Sequence, residues 1–242
     1  MKNALTFGNG NAKLGKTIAT FSLPSGFTCP GALECLSKAN RETGRITDGA
    51  ETVFRCFSAS QEATFPNVRR SRWENFDTLK TFGANFSAMA DFICANLPKQ
   101  NIVRIHVAGD FFSLPYFDAW LEVAKRNPAK TFYAYTKSLG FWIQRKNEIP
   151  ANFKLNASRG GRNDELIATH GLKFAEVVFT EAEAAEKGLP IDHDDTHAFL
   201  QDKSFALLLH GVQAAGSKAG EALKVLKRLG KGGYSAKGKA VK

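Results

Sequence analysis

The sequence predicts an α/β protein built on a parallel, (βα)6 partial-barrel-like sheet with a long cysteine-bearing loop after its first strand. From residue 100 onward, short β-rich runs alternate with longer amphipathic ones, the pattern of strands joined by helical crossovers. Turn and cap residues punctuate the boundaries between those runs. A chain of 242 residues is also long enough to bury one full core and short enough to need only one.

In chain order, residues 16–22 (KTIATFS) read as the first strand. An irregular stretch, 23–72, follows and holds three of the four cysteines. A loop of that length without secondary structure points to a functional insertion, which a metal centre would order. Residues 73–97 carry Phe76, Leu79, Phe82, Phe86, Met89, Phe92 and Ile93 at helical spacing and predict one long helix. The second strand is expected at 102–109 and the helix after it at 114–127, with Ser113 as N-cap and Pro115 in the first turn. Strands at 131–136, 153–158, 175–180 and 204–210 complete six. Helices at 139–148, 164–169 (N-cap Asn163, stop Gly171) and 181–187 (stop Gly188) connect them.

Composition narrows the function classes. Hydrophobic residues make up 43% and charged residues 23%, ordinary for a globular chain and unlike a disordered or fibrous one. No apolar run approaches the roughly 18 residues that cross a bilayer, and residues 1–25 lack the apolar core of a secretory signal. The expectation is a single domain over 1–229 acting in the cytoplasm. The net charge of +10 is uneven: residues 218–242 hold eight Lys or Arg against the single acid Glu221. Residues 230–242 read as a basic tail that either contacts nucleic acid or keeps the protein in solution.

In parallel α/β proteins the loops leaving the carboxyl ends of the strands meet on one face, where ligands bind. Those loops carry Cys29, Cys35 and Cys56; Gly109 and Asp110; Thr136, Lys137 and Ser138; Ser158, Arg159, Gly160, Gly161 and Arg162; Thr180 and Glu181; His210 and Gly211. Thiols, acids, cations and glycines would all surround one cavity. The cysteine spacing, C-x5-C with the third twenty-one residues on, is not the paired C-x2-C of a zinc ribbon. Three thiolates leave one coordination position open, which suits a [4Fe–4S] cluster or a catalytic zinc; three free thiols are the alternative. Cys94 sits within a helical apolar pattern and reads as a small core residue. His106 alternates with Arg104 and Ala108 and is expected to share their face. Residues 192–197 (DHDDTH) read as a second divalent-ion site or a solvated turn, and Arg69, Arg70 and Arg72 as an anion grip or a solvated helix start.

Several phrases resemble the gene product 88 family of bacteriophage and plasmid proteins: TCPGA and the cysteine at 28–35, CFSASQEATFPNVRRSRWENF at 56–76, IHVAGDFFS at 105–113, FYAYTKS at 132–138, ASRGG at 157–161 and IDHDDTHA at 191–198. The layout is more distantly similar to radical S-adenosylmethionine (SAM) enzymes, partial (βα)6 barrels with three cluster-binding cysteines after the first strand. Their C-x3-C-x2-C spacing is absent and residues 36–55 separate the third cysteine. That resemblance implies Cys29, Cys35 and Cys56 as cluster ligands and Gly109 and Asp110 as the turn that holds the SAM amino group. It further implies Ser138, Ser158 and Arg159 as contacts to SAM or to a small-molecule or nucleic-acid substrate, and Lys137 or His210 as a proton donor. Two other readings stay open: a divalent-metal hydrolase or nuclease using Asp110, His193, Asp194 and His197, and a nucleic-acid-binding protein with structural zinc.

Overall fold

The computed structural model describes residues 4–10 and 14–231. Six strands form an all-parallel sheet: β1 (Ile18–Ser22), β4 (Ile102–Ala108), β5 (Thr131–Thr136), β6 (Phe153–Ser158), β7 (Phe174–Val178) and β8 (Phe205–Leu208). They lie side by side in that order, and β1 does not pair with β8, so the sheet is open. Each strand neighbours its predecessor within this sheet, and the right-handed rule for parallel crossovers then places the connecting helices on one face. Ligand-bearing loops are thereby left together at the carboxyl end.

The period-2 alternation of the strands sorts the two faces. Ala19, Phe21, Val103, Ile105, Phe132, Ala134, Phe153 and Leu155 point to the helical face. There they meet Phe117, Trp120, Leu121 and Ala124 of α4 (Leu114–Arg126), and Met89, Ala90 and Ile93 of α3 (Phe86–Ala95). Each of these large apolar side chains, fully removed from water, contributes about 1.5–3 kcal/mol. Ser113 caps α4 by accepting from the Tyr116 amide, and Pro115 occupies its first turn as expected. α5 (Leu139–Gln144) and α6 (Glu165–Thr169) continue the same layer over β6 and β7, and α7 (Glu181–Glu186) covers β7 and β8.

The opposite face is filled by the segment before β8. Ala198 and Phe199 of α8 (Thr196–Phe199) pack on Tyr133, Ala175 and Phe205. Asp195, fully buried and in the left-handed region at φ 68°, accepts from Arg104 (2.6 Å), Tyr133 (2.8 Å) and Tyr135 (3.2 Å). A carboxylate shared by a guanidinium and two phenols is the paired burial that a charge needs in an interior. Backbone bridges guard both edges: Gly8 pairs with Thr20 on β1, and residues 190–192 pair with Ala206 on β8.

Four expectations need correction. The long helix at 73–97 is two: α2 (Pro66–Lys80) and α3, broken at 81–85. Gly83 takes a positive φ of 54° and Asn85 caps α3 through the Ala88 amide, stop and start signals that outweigh the phenylalanine periodicity. The stretch 23–72 is not structureless, because it contains a hairpin of β2 (Ser37–Ala39) and β3 (Ile46–Asp48), the helix α1 (Phe57–Thr64) and the start of α2. Asn163 does not cap α6; the neighbouring Asp164 turns its carboxylate back onto the Gly160 and Gly161 amides. His106 does not share the face of Arg104. A left-handed residue at 106 (φ 66°) and a register slip between Thr20 and Ser22 rotate β4, so His106 enters the helical core against Phe111 and Tyr116 while Arg104 faces Asp195.

The C-terminal helix α9 (Lys218–Arg228) buries Ala219, Leu223 and Leu226 against Phe54 and Leu209, with Cys35 alongside. Beyond Lys231, which pairs with Glu181, the basic tail lies outside the described residues. Among the described residues no helix is long and apolar enough to cross a membrane.

Candidate functional site

After β1 the chain runs across the carboxyl ends of its neighbours, one strand at a time. Thr28 lies over Gly109 after β4, Gly31 over Lys137 after β5, and Glu34 over Gly160 after β6. Hydrogen bonds from the Arg162 amide to the Gly31 carbonyl and from the Glu34 amide to the Gly160 carbonyl tie it down. At two positions only glycine allows the approach. A Cβ on Gly109, which has φ 81°, would stand 2.5 Å from the Thr28 hydroxyl, and one on Gly31 would stand 2.1 Å from the Lys137 carbonyl. The close approach at Gly109 is therefore to the cysteine loop itself.

That path carries Cys29 and Cys35, and Cys56 follows beyond the β2–β3 hairpin, at the start of α1. Cys29 accepts from the Gly26 amide at 3.3 Å. Cys56 stands at the N-cap of α1 with its own amide donated to Ser37. Burial pushes the Cys29 thiol well up, and Asp110, Cys56 and Cys35 raise it further. Cys35 is pushed up to about 11 by burial, with Lys137 pulling down and Cys56 and Asp110 pushing up. Cys56 is also raised by burial, against which the Ala59 and Ser58 amides at the start of α1 favour its thiolate. Cys29 and Cys35 thus each feel Cys56, and burial favours the protonated form of all three. Among the described residues no three His, Cys, Asp or Glu side chains are grouped to hold a single metal ion. Cys94 is elsewhere, packed beside the helical core with Asn127 at 3.5 Å.

Asp110 is buried at the centre of the strand ends. Its carboxylate accepts from the Thr136 hydroxyl (2.7 Å) and the amides of Phe111 (2.7 Å) and Lys137 (2.8 Å), leaving room for one more donor out of about four. Burial raises it to about 6 against those three hydrogen bonds. The Lys137 ammonium is spent on oxygens: the Ser158 carbonyl (2.8 Å), the Ser158 hydroxyl (3.1 Å) and the Arg159 carbonyl. Ser138 donates to the Phe111 carbonyl (2.8 Å). Arg159 turns to Glu176 (3.7 Å) and over Phe174. His210 stacks on Phe57, next to Cys56, with ring centroids 3.5 Å apart.

His106, three residues before Gly109, is lowered to about 3 by burial. The two buried groups act on stability in opposite directions. Asp110, raised from about 4, contributes stability that is lost as pH rises from about 4 through about 6; His106 contributes stability that is lost as pH falls from about 6.5 through about 3. Between pH 6 and 4, Asp110→Asn should therefore lose unfolding free energy more steeply on acidification than wild type, and His106→Asn less steeply. The slope difference is up to about 1.4 kcal/mol per pH unit. Urea denaturation at stepped pH measures it, and parallel slopes in all three proteins would remove both assignments.

Sequence reading missed the support behind Cys56. Glu62 of α1 is fully buried, and its Oε1 accepts from the Ser25 amide (2.9 Å), the Ser25 hydroxyl (2.8 Å) and Arg72 (2.8 Å). Arg72 also donates to the Ser58 carbonyl, and Arg69 to the carbonyls of Glu62, Arg41 and Glu42. The basic run at 69–72 is thus turned inward, except for exposed Arg70. A signal was available: Arg69, Arg72, Asn75 and Leu79 recur at helical spacing, and all four are buried on one face of α2.

The acidic segment 192–197 does not join Asp110. Asp192 accepts from the Asp195 amide and lies 3.2 Å from His197, Asp194 bonds Thr196, and His193 is exposed. These side chains hold the turn that seats Asp195 under the sheet. Among the described residues, Asp110, His193, Asp194 and His197 form no group that could hold a metal ion.

Fold and site define a class: an open, sequentially wound parallel α/β protein whose connection after the first strand carries three cysteines. Residues 3–228 match Gene product 88, and the chain belongs to the gene product 88 family. It is 30% identical over 138 residues to the Gene 88 protein of Mycobacterium phage L5, covering 53% of this chain and 51% of that one. The Gene 88 protein of Mycobacterium phage D29 is likewise 30% identical over 138 residues, covering 53% and 50%. The chain spans about half the length of the curated relatives it matches. No solved structure matches it.

Proposed function

We propose that this protein is an iron–sulfur enzyme of the radical SAM kind, with Cys29, Cys35 and Cys56 as ligands to a [4Fe–4S] cluster. The observation that carries the reading is the run of Cys29 and Cys35 across the carboxyl ends of a sequentially wound parallel sheet, each within electrostatic reach of Cys56 at the start of α1. The donor set fits the group. Cys56 raises the pKa of both Cys29 and Cys35, and three thiolate donors suit a [4Fe–4S] cluster with one iron left open. When bound, such a cluster supplies the single electron that cleaves SAM at its open iron.

The chain's own residues then bind and orient. Asp110, with one acceptor position unused, takes the amino group of SAM, and its other bonds fix the Thr136–Ser138 turn. Lys137 clamps the ends of β5 and β6 together and offsets negative charge near Cys35. His210, on the ring of Phe57, stands as the proton donor beside Cys56. Anaerobic treatment of the full chain with ferrous iron, sulfide and thiol tests the reading. The expected product is brown, with a reduced-state paramagnetic signal that SAM perturbs. A colourless protein that instead retains stoichiometric zinc through gel filtration would sink it.

A further inference from the structure

A pocket of about 250 Å³ opens beside the cysteine loop, its lining including Phe27, Cys29, Lys38, Phe112 and Arg162. We infer that this pocket binds a nucleoside phosphate, its base on Phe27 and its phosphate between Lys38 and Arg162.

Three features lead there. The lining holds two cations and no acid. Elsewhere on the surface Arg41, Arg126, Arg145 and Arg159 each hold a carboxylate, but among the described residues neither Lys38 nor Arg162 has an acidic partner. A forked guanidinium and an ammonium left uncompensated at one mouth form an anion site, and the fork matches a phosphate edge. The apolar wall is aromatic and held rigidly. Phe27 is 42% exposed yet packs on Trp73 with centroids 4.9 Å apart, and Phe112 is stacked on Tyr116 at 4.5 Å. The Lys38 ammonium stands over the Phe27 ring at 5.3 Å, so a base stacked on the exposed part of that ring brings its phosphate beside the cation. The volume lies just below the roughly 300–1,000 Å³ of drug-sized ligand sites, which limits the occupant to one nucleotide partly open to solvent.

Because Cys29 lines the pocket, the ligand would lie against a residue of the proposed centre. Its role as a substrate site rests on that reading, whereas binding does not. A free nucleotide and one nucleotide of a single strand share this chemistry, so both are probed. Uridine 5′-monophosphate is titrated calorimetrically, and a fluorescein-labelled single-stranded oligonucleotide by anisotropy, into the full chain before and after iron–sulfur reconstitution. Lys38→Ala/Arg162→Ala should lose about tenfold or more in affinity for whichever probe binds, and Phe27→Ala a comparable amount through stacking. For the oligonucleotide, the salt slope should fall by roughly 0.7 per lost phosphate contact. Lys125→Ala/Lys146→Ala, two exposed lysines elsewhere, removes the same charge and should bind like wild type. Binding of the mononucleotide supports a small-molecule ligand, and binding of the oligonucleotide alone supports a strand. Loss in the pocket variants without any reconstituted cluster upholds the pocket while removing the iron–sulfur reading. Wild-type binding by the pocket variants, equal loss in the lysine control, or no binding of either probe overturns the proposal.

Discussion

Cys29→Ala, Cys35→Ala and Cys56→Ala each reduce iron incorporation to background, while Cys94→Ala incorporates iron like wild type. The first three thiols share one loop and one electrostatic neighbourhood, and a cluster with three protein ligands has none to spare. Cys94 packs beside the helical core on α3, with Asn127 as its polar neighbour. All four variants should fold, since removing a partly exposed thiol leaves the sheet and its helices unaltered; circular dichroism checks that before iron and sulfide are counted. Full iron content in any of the first three variants takes that cysteine out of the site.

Arg72→Ala destabilises the protein by about 3–5 kcal/mol, because it strands the Glu62 carboxylate in the interior without its cation. Glu62 is fully buried and Arg72 nearly so, and their contact is 2.8 Å. The same substitution frees the Ser58 carbonyl and loosens the start of α1, where Cys56 sits. Iron retention should weaken along with stability. Removing the charge as well, in Glu62→Gln/Arg72→Met, should recover much of the loss, since a neutral pair of similar volume no longer buries an ion. Urea denaturation of the three proteins measures both steps. A loss below about 1 kcal/mol in Arg72→Ala would place the pair among weak surface bridges instead.

Local sequence determined the parallel α/β class and the positions of the six strands, because strand alternation, Ser113, Pro115, Gly171 and Gly188 act over a few residues. It also determined that Asp110 and Lys137 would meet, since parallel topology sends every strand's carboxyl end to one side. Tertiary structure decided what each of them does there. Asp110 and Lys137 read from sequence as groups free to meet a ligand, yet most of their hydrogen-bonding capacity goes to the turns around them. The partners lie 21–27 residues away, beyond any local pattern. The turn of His106 into the helical core depends on a left-handed residue in a strand, which alternation does not reveal. Asp195 meets Arg104, Tyr133 and Tyr135, 60–91 residues distant, only once the sheet exists to bring them within reach. Periodicity reports which face a residue is offered to, and the choice of partner across that face is made by packing and by the need to pair every buried charge.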